Sequence, residues 1–290
     1  MKRASALLGI MMAAGLLLAG TAYAKGNEGS IQIKGSDTMV NLSQAWAEEF
    51  MAENPNVSIA VTGGGSGTGI AALINGTTNI ANASRPIKKK EIDDAQKAGY
   101  YPEEFKAAID ALAVIVNPAN PVKELTFDQL SGIFTGKITN WNEVGGKDQK
   151  ILVLSRDRNS GTHVYFLENV LRKGNASGPE EFAPSTLMLP SSEAIINETS
   201  QSESAIGYDG LGYITPKVKT IAVAKTKEGP LVQPSKEAAM DHTYPVWRYL
   251  YMYTGFKPKG QVKAFIDFVL SEKGQKIVDA MDFVPLGEKK

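Results

Sequence analysis

The chain has 290 residues, 31 basic and 31 acidic side chains, two histidines and no cysteine. Its charge is balanced, which excludes the basic stripe of a nucleic-acid binder. The absence of Cys excludes disulfides and a cysteine-linked lipid anchor.

The first 24 residues read as a secretory leader. Lys2 and Arg3 form a basic start, an apolar run follows from Ala6 to Ala19, and Ala22-Tyr23-Ala24 is an A-x-A cleavage signal that puts the mature start at Lys25. The apolar run is too short to span a bilayer, and no later stretch approaches the ~18 apolar residues a spanning helix needs. Removing 24 of 290 residues leaves 266, enough for one large or two ordinary domains. Removal also leaves 29 basic against 31 acidic residues, a net charge near −2. The expected product is exported, periplasmic and without membrane insertion.

Ser30-Ile31-Gln32-Ile33 alternates and predicts a first strand, with Lys34 to Met39 as the turn after it. Leu42, Ala45, Trp46, Glu49 and Phe50 follow a helical period, stopped by Asn54-Pro55-Asn56. A second strand, Val57 to Val61, runs into the glycine turn Gly63-Gly64-Gly65-Ser66-Gly67-Thr68-Gly69 and a short helix from Ile70 to Ile74. Asn79 to Ala83 predicts a third strand ending at Ser84-Arg85-Pro86. The charged run from Lys88 to Lys97 predicts a solvated helix.

Leu112 to Asn117 predicts a buried strand broken by Pro118 and Pro121, and the first crossing between lobes is placed there. Thr126 and Gln129 form a capping box for the next helix, and Trp141 is expected as a packing residue. Ile151 to Leu154 predicts a strand into a second turn, Asn159-Ser160-Gly161-Thr162, and a helix from His163 to Leu171. A loop is expected over Gly174 to Pro190, weak helix over Ala194 to Glu198, and strands over Ala205 to Tyr208 and Val218 to Ala224. The return crossing is placed between those two strands. Trp247 to Tyr253 predicts a strand, and an amphipathic helix closes the chain from Val262, with a further turn to Met281. The domain expectation is therefore a leader over 1–24, a first lobe over 25–112 plus 214–290, and a second lobe over 113–213.

Strands alternating with helices predict a parallel-sheet α/β architecture, which binds ligands where strands lead into helices. The loops at such positions offer Ser36, Thr38, Ser66, Thr68, Ser84, Ser160 and Thr162, glycine amides, and the guanidiniums of Arg85 and Arg156. Hydroxyls and free N–H groups at helix N-termini hold anions, and arginine presents a planar fork to tetrahedral oxygens. Enzyme readings find less support. There is no G-x-x-x-x-G-K-[ST]; Thr68 breaks a G-x-S-x-G; and Gly67-x-Gly69-x-x-Ala72 matches a dinucleotide fingerprint only formally. No His, Cys and carboxylate cluster has metal-ligand spacing. The expectation is no catalysis, no cofactor and no metal.

In Gly35-Ser36-Asp37-Thr38, the glycine turn from Gly63, Ala83-Ser84-Arg85-Pro86-Ile87, Arg156-Asp157-Arg158-Asn159-Ser160-Gly161-Thr162 and Ala205-Ile206-Gly207-Tyr208, the chain resembles the periplasmic phosphate-binding proteins of the phosphate ABC importer. The resemblance runs along essentially the whole mature length. It implies the type II periplasmic-binding-protein fold: two α/β lobes, two crossing segments and one phosphate in the interlobe cleft. It also implies an ABC permease as partner and a monomer. Carried over by position, Ser36, Asp37, Thr38 and Met39 supply hydroxyl and N–H contacts, and Ser66, Ser84 and Arg85 line the first lobe. Arg156 is the buried guanidinium, and Ser160, Gly161 and Thr162 hold phosphate at a helix N-terminus. One position departs. Some members carry an Asp after the third-strand Ser, where it accepts the proton of hydrogen phosphate; Arg85 stands there here. The acceptor is then expected to be Asp37 or Asp157. Sulfate, molybdate or tungstate remains the alternative ligand, and an exported interaction or signalling protein on the same fold the alternative class.

Overall fold

The computed structural model describes residues 29–287; the expected leader and its cleavage site lie outside them. Strand β1 (Ser30–Gly35) buries Ile31 and Ile33, and a 3-10 turn, Asp37–Met39, leads into helix α1 (Val40–Glu53). Then come β2 (Ser58–Thr62), α2 (Ser66–Ile74), β3 (Ile80–Ala83), α3 (Lys89–Lys97) and the long β4 (Glu103–Val116). The second part holds β5 (Glu124–Thr126), α4 (Phe127–Phe134), β6 (Leu152–Arg156), α5 (Gly161–Phe166), β7 (Leu187–Leu189), α6 (Ser192–Gln201), β8 (Ala205–Gly210), β9 (Lys219–Thr220), β10 (Ala222–Ala224) and α7 (Lys236–Met240). Strand β11 (Trp247–Thr254) and helices α8 (Gly260–Leu270) and α9 (Glu272–Ala280) close the chain. Among the described residues no helix is long and apolar enough to cross a membrane.

The strands run in the order β2-β1-β3-β11-β4-β8-β6-β7, with β9 on β4. The outer pairs, β1 with β2 and β3, and β6 with β7 and β8, are parallel. The central pairs, β11 with β3 and β4, and β4 with β8 and β9, are antiparallel. The sheet is therefore mixed, where an all-parallel one was expected. Strand β4 is the seam: Glu103 to Ala111 pair with β11 and Leu112 to Val116 pair with β8. Strand β4 therefore runs unbroken from its pairing with β11 into its pairing with β8. Lys219–Thr220 pair with β4 and Ala222–Ala224 with β5, so residues 219–246 stay with the second half until Val246, whose carbonyl accepts from the Leu112 amide. Two- and three-residue strands such as β9 and β10 carry too little periodicity for the sequence to reveal their partners.

Packing follows the side-chain pattern. Trp46 and Phe50 lie on one face of α1; Phe50 meets Phe265 and Phe268 of α8 edge-on, and the Trp46 Nε1–H donates to the Gly274 carbonyl. Trp141 is buried as a packing residue, its Nε1–H bonded to the Ser204 carbonyl. Thr126 and Gln129 form the expected capping box on α4. The run from Ala107 to Val116 is buried throughout, because helices cover both faces of the sheet there. Helix α2 lies so close to β1 that a Cβ on Gly69 would stand 2.4 Å from the Lys34 carbonyl oxygen.

Below α5, His163 is buried and stacked on Phe182, with its Nδ1 3.1 Å from the Ser155 hydroxyl, which in turn meets the Tyr208 hydroxyl at 2.6 Å. Burial, and after it the positive charge of Arg158, lowers the His163 pKa to about 4.

Two outcomes follow. Gly69→Ala forces α2 off β1 and should cost about 1–3 kcal/mol in urea unfolding, more than the alanine gains in helix propensity. The unfolded chain binds the His163 proton near the ordinary 6.5 and the folded chain only near about 4, so stability falls as pH drops through that window. His163 should account for about 3 kcal/mol of the fall. Asp209, pushed up to about 6, works in the opposite sense between that value and 3.8. The measurement is therefore a difference: His163→Asn, compared with the parent by denaturant midpoint at pH 7 and pH 4.5, should lose less on acidification.

Candidate functional site

Four strand-to-helix turns meet where the two halves of the sheet face each other. The turn after β1 brings Ser36, Asp37 and Thr38. The glycine turn after β2 brings Ser66 at the start of α2. The end of β3 brings Ser84. The turn after β6 brings Ser160, Gly161 and Thr162 at the start of α5. The hydroxyls of Ser36, Thr38, Ser66, Ser84 and Thr162 form one connected cluster. Ser36 Oγ donates to Ser84 Oγ at 2.9 Å; Ser66 and Thr162 each stand 3.4 Å from Ser84 Oγ; Thr38 and Thr162 meet across the lobes at 2.8 Å. Ser36, Thr38, Ser66, Ser84, Ser160 and Thr162 are all buried. Ser160 caps α5, its Oγ accepting from the Thr162 and His163 amides. A Cβ on Gly161 would stand 2.2 Å from Ser66 Oγ and 2.6 Å from Ser84 Oγ, so a side chain there would push those hydroxyls aside.

The glycine turn and the second turn clasp each other. The Gly67 amide donates to the Asn159 carbonyl at 2.9 Å, and the Asn159 side-chain amide donates to the Gly64 carbonyl and to Thr68 Oγ1. Gly65, at φ +90, would place a Cβ 2.7 Å from the Asn159 carbonyl oxygen, so only glycine allows this approach.

Arg156 is fully buried at the end of β6. Its Nη2 donates to Asp37 Oδ2 across the lobes at 2.8 Å and to the Pro190 carbonyl at 2.9 Å. Its Nη1 donates to Ser192 Oγ, and its Nε reaches the Leu189 carbonyl at 3.4 Å. Asp37 Oδ1 accepts from the Gly64 amide, and the Tyr213 hydroxyl donates to the Asp37 carbonyl. Behind Arg156 stands Asp209, with Oδ2 4.0 Å from Nη1 and without a hydrogen-bond partner among the described residues, and Oδ1 bonded to Ser192 and Gly210. Burial pushes the Asp209 carboxyl up to about 6, against the pull of Arg156.

Three expected site residues stand apart. Arg85 turns away from the hydroxyl cluster, and its guanidinium makes a two-pronged pair with Glu91 at 2.6 and 2.8 Å. The helix set aside as a solvated face thus supplies its counter-ion. Met39 has its side chain in the core, and its amide is bonded to the Ser36 carbonyl inside the 3-10 turn, so it brings no donor. Asp157, one of two expected acceptors, is half-buried with its amide on the Leu189 carbonyl, whereas Asp37 lies between the lobes.

A second buried arginine was missed. Arg248 of β11 pairs with Asp110 of β4 through Nε at 3.0 Å and Nη2 at 2.8 Å, the two residues being direct register partners. One carboxylate inside the apolar run 107–116 was the available signal, since a buried charge requires a partner. The identity of that partner, 138 residues away, was not legible.

The chain resembles known proteins along its length. A family model for the PBP superfamily domain matches residues 21–273. Phosphate-binding protein PstS of Pseudomonas aeruginosa is 36% identical, covering 92% of this chain and 86% of its own, and PstS of Bacillus subtilis is 34% identical, covering 100% and 97%. A substrate-binding protein assigned to a phosphate ABC transporter of Clostridium perfringens, crystallised with bound phosphate, superposes with a TM-score of 0.78 at 35% identity, over 89% of this chain and 99% of its own. An ABC-type phosphate transport receptor from Vibrio cholerae gives 0.70 at 31%, over 88% and 100%. With the interlobe turns and the mixed two-lobe sheet on the same residues as the matches, the chain belongs to the PBP superfamily and, within it, to the PstS family of phosphate-binding proteins.

Proposed function

We propose that the chain is an exported solute-binding protein that captures inorganic phosphate between its lobes and delivers it to an ABC importer. The observation that carries this reading is the buried cluster of hydroxyls, drawn from both lobes, at the N-termini of α2 and α5 and beside the Arg156–Asp37 pair. The proposed ligand set is Ser36, Thr38, Ser66, Ser84, Arg156, Ser160, Gly161 and Thr162. Asp37 is the acceptor for the proton of hydrogen phosphate; Arg85 and Met39 are dropped from the set. The role is binding without catalysis. The lobes meet at 111–112 in β4 and at 246–247 before β11, and the exported chain begins at Lys25 after removal of the leader.

An anion entering the cluster replaces hydroxyl-to-hydroxyl bonds with hydroxyl-to-anion bonds, which are charge-assisted and stronger. Closing the lobes around it removes water and strengthens each bond further. Sulfate has no proton to offer Asp37 and would leave two like charges facing, so the acceptor excludes it. The partner permease takes the closed form; binding by one chain requires no second copy.

Isothermal titration of the mature protein tests the reading: one phosphate should bind per chain and sulfate far more weakly, and sulfate binding as tight or tighter would overturn the assignment. Arg156→Ala should weaken phosphate binding by about a hundredfold or more, because it removes a buried charge partner. Gly161→Ala tests closure. Its Cβ meets Ser66 and Ser84, so small-angle scattering should show no compaction on adding phosphate, where the parent compacts.

A further inference from the structure

Under the hydroxyl cluster, at the seam where β4 passes from β11 to β8, lies the Arg248–Asp110 pair. Both residues are buried, Asp110 completely. Asp110 Oδ2 takes Nε and Nη2 of the guanidinium, and Asp110 Oδ1 takes the Leu211 amide at 3.1 Å. The remaining edge of Arg248 faces the ligand turns: Nη1 donates to the Ser84 carbonyl at 3.2 Å, and Nη2 lies 3.5 Å from Thr38 Oγ1. The Tyr165 ring covers the guanidinium carbon at 5.6 Å.

This contact fixes a direction. A hydroxyl has one proton, and its oxygen turns its lone pairs toward a nearby cation. With Arg248 on one side of Thr38 Oγ1, the Thr38 O–H is driven to the other side, toward Thr162 and the cluster. Nη1 likewise anchors the Ser84 backbone, whose hydroxyl is the centre of the cluster. Asp110 prevents the guanidinium from swinging into the cluster itself, because two N–H groups hold it from behind.

We propose that Arg248, held by Asp110, is a positioning residue of the anion site: it orients the Thr38 hydroxyl and the Ser84 turn so that both donate to the bound tetrahedral oxyanion. This rests on the phosphate reading for the identity of the ligand, though the geometry concerns any tetrahedral oxyanion. Because the Leu211 amide, in the 3-10 turn Leu211–Tyr213 directly after β8, bonds Asp110, the pair ties the ligand turns of the first lobe to the segment that follows β8.

The test uses the mature full chain with phosphate, sulfate and molybdate as calorimetric probes and thermal unfolding beside them. Asp110→Asn combined with Arg248→Gln removes both charges without leaving either unpaired. Arg248→Lys keeps the charge, loses the fork and serves where the double variant does not fold. The double variant should weaken binding of the preferred anion about tenfold or more, and Arg248→Lys by less. Introduced with Thr38→Val, where no hydroxyl remains to orient, the same changes should cost distinctly less than they do alone. A folded variant whose affinity stays within about twofold of the parent, or losses fully additive with Thr38→Val, would overturn the proposal. Preference of the parent for sulfate or molybdate would overturn the phosphate reading and leave this test to proceed on that anion; binding of none of the three would overturn both.

Discussion

The buried guanidinium of Arg156 constrains the rest of the structure. A bare charge in a protein interior is too costly to tolerate, so every polar hydrogen of that group requires an acceptor. Most of its acceptors come from the end of β7 and the segment after it: the Leu189 and Pro190 carbonyls and Ser192 at the start of α6. These three lie on the same side of the cleft as Arg156. Among the described residues, only Asp37 comes from the other lobe. The ion pair is therefore the strong contact that ties Arg156 across the cleft. Asp209, 4.0 Å away with one oxygen unpartnered among the described residues, is the carboxylate on Arg156's own side of the cleft.

The close fit of the turns follows from the same demand. For Asp37 to reach Arg156, the turn after β1 must press against the second lobe, and the glycine turn must pass under Asn159 without side chains in the way. A Cβ on Gly63 would stand 2.3 Å from Asp37 Oδ1, and Gly64 donates its amide to that oxygen. Glycines here serve two purposes, backbone conformation at Gly64 and Gly65 and sheer proximity at Gly63 and Gly161. Ser-Gly-Thr at both turns is the sequence trace of two helix N-termini brought face to face.

What was legible followed from local rules. The unit from β1 to α2 was readable because Ile31 and Ile33 alternate, Trp46 and Phe50 keep a helical period, and Asn-Pro-Asn and the glycine run mark the stops. The first half of β4 was not, because Glu103, Glu104 and Lys106 are exposed there and read as surface. Strand β7 was hidden in a loop rich in Gly, Pro and Ser, although its three residues lead directly to two of the Arg156 acceptors. The placement of Arg85 failed for a different reason. Position in a motif fixes where a backbone goes, but an arginine reaches about 6–7 Å beyond it, and a carboxylate six residues on captured the guanidinium. Pairings across the sheet, such as Asp110 with Arg248, are decided by register between distant strands and leave no local trace.

The charges also bear on selectivity. Each buried arginine at the site is matched by a carboxylate, Arg156 by Asp37 and Arg248 by Asp110, and Asp209 stands behind the first pair. The site therefore offers an anion no net positive charge. Hydroxyls and amides at two helix N-termini must stabilise it, and these neutral donors treat one tetrahedral oxyanion much like another. Selectivity then depends on the groups that accept rather than donate. Asp110 is enclosed by Arg248 and Leu211, and Asp209 is held through Oδ1 by Ser192 and Gly210 behind Arg156. Asp37, whose carboxylate takes the Gly64 amide and Arg156, is the carboxylate that bridges the lobes. The position that holds Arg85 in this chain is no longer needed as an acceptor if Asp37 fills that role from the neighbouring turn, and Arg85 is then left to Glu91.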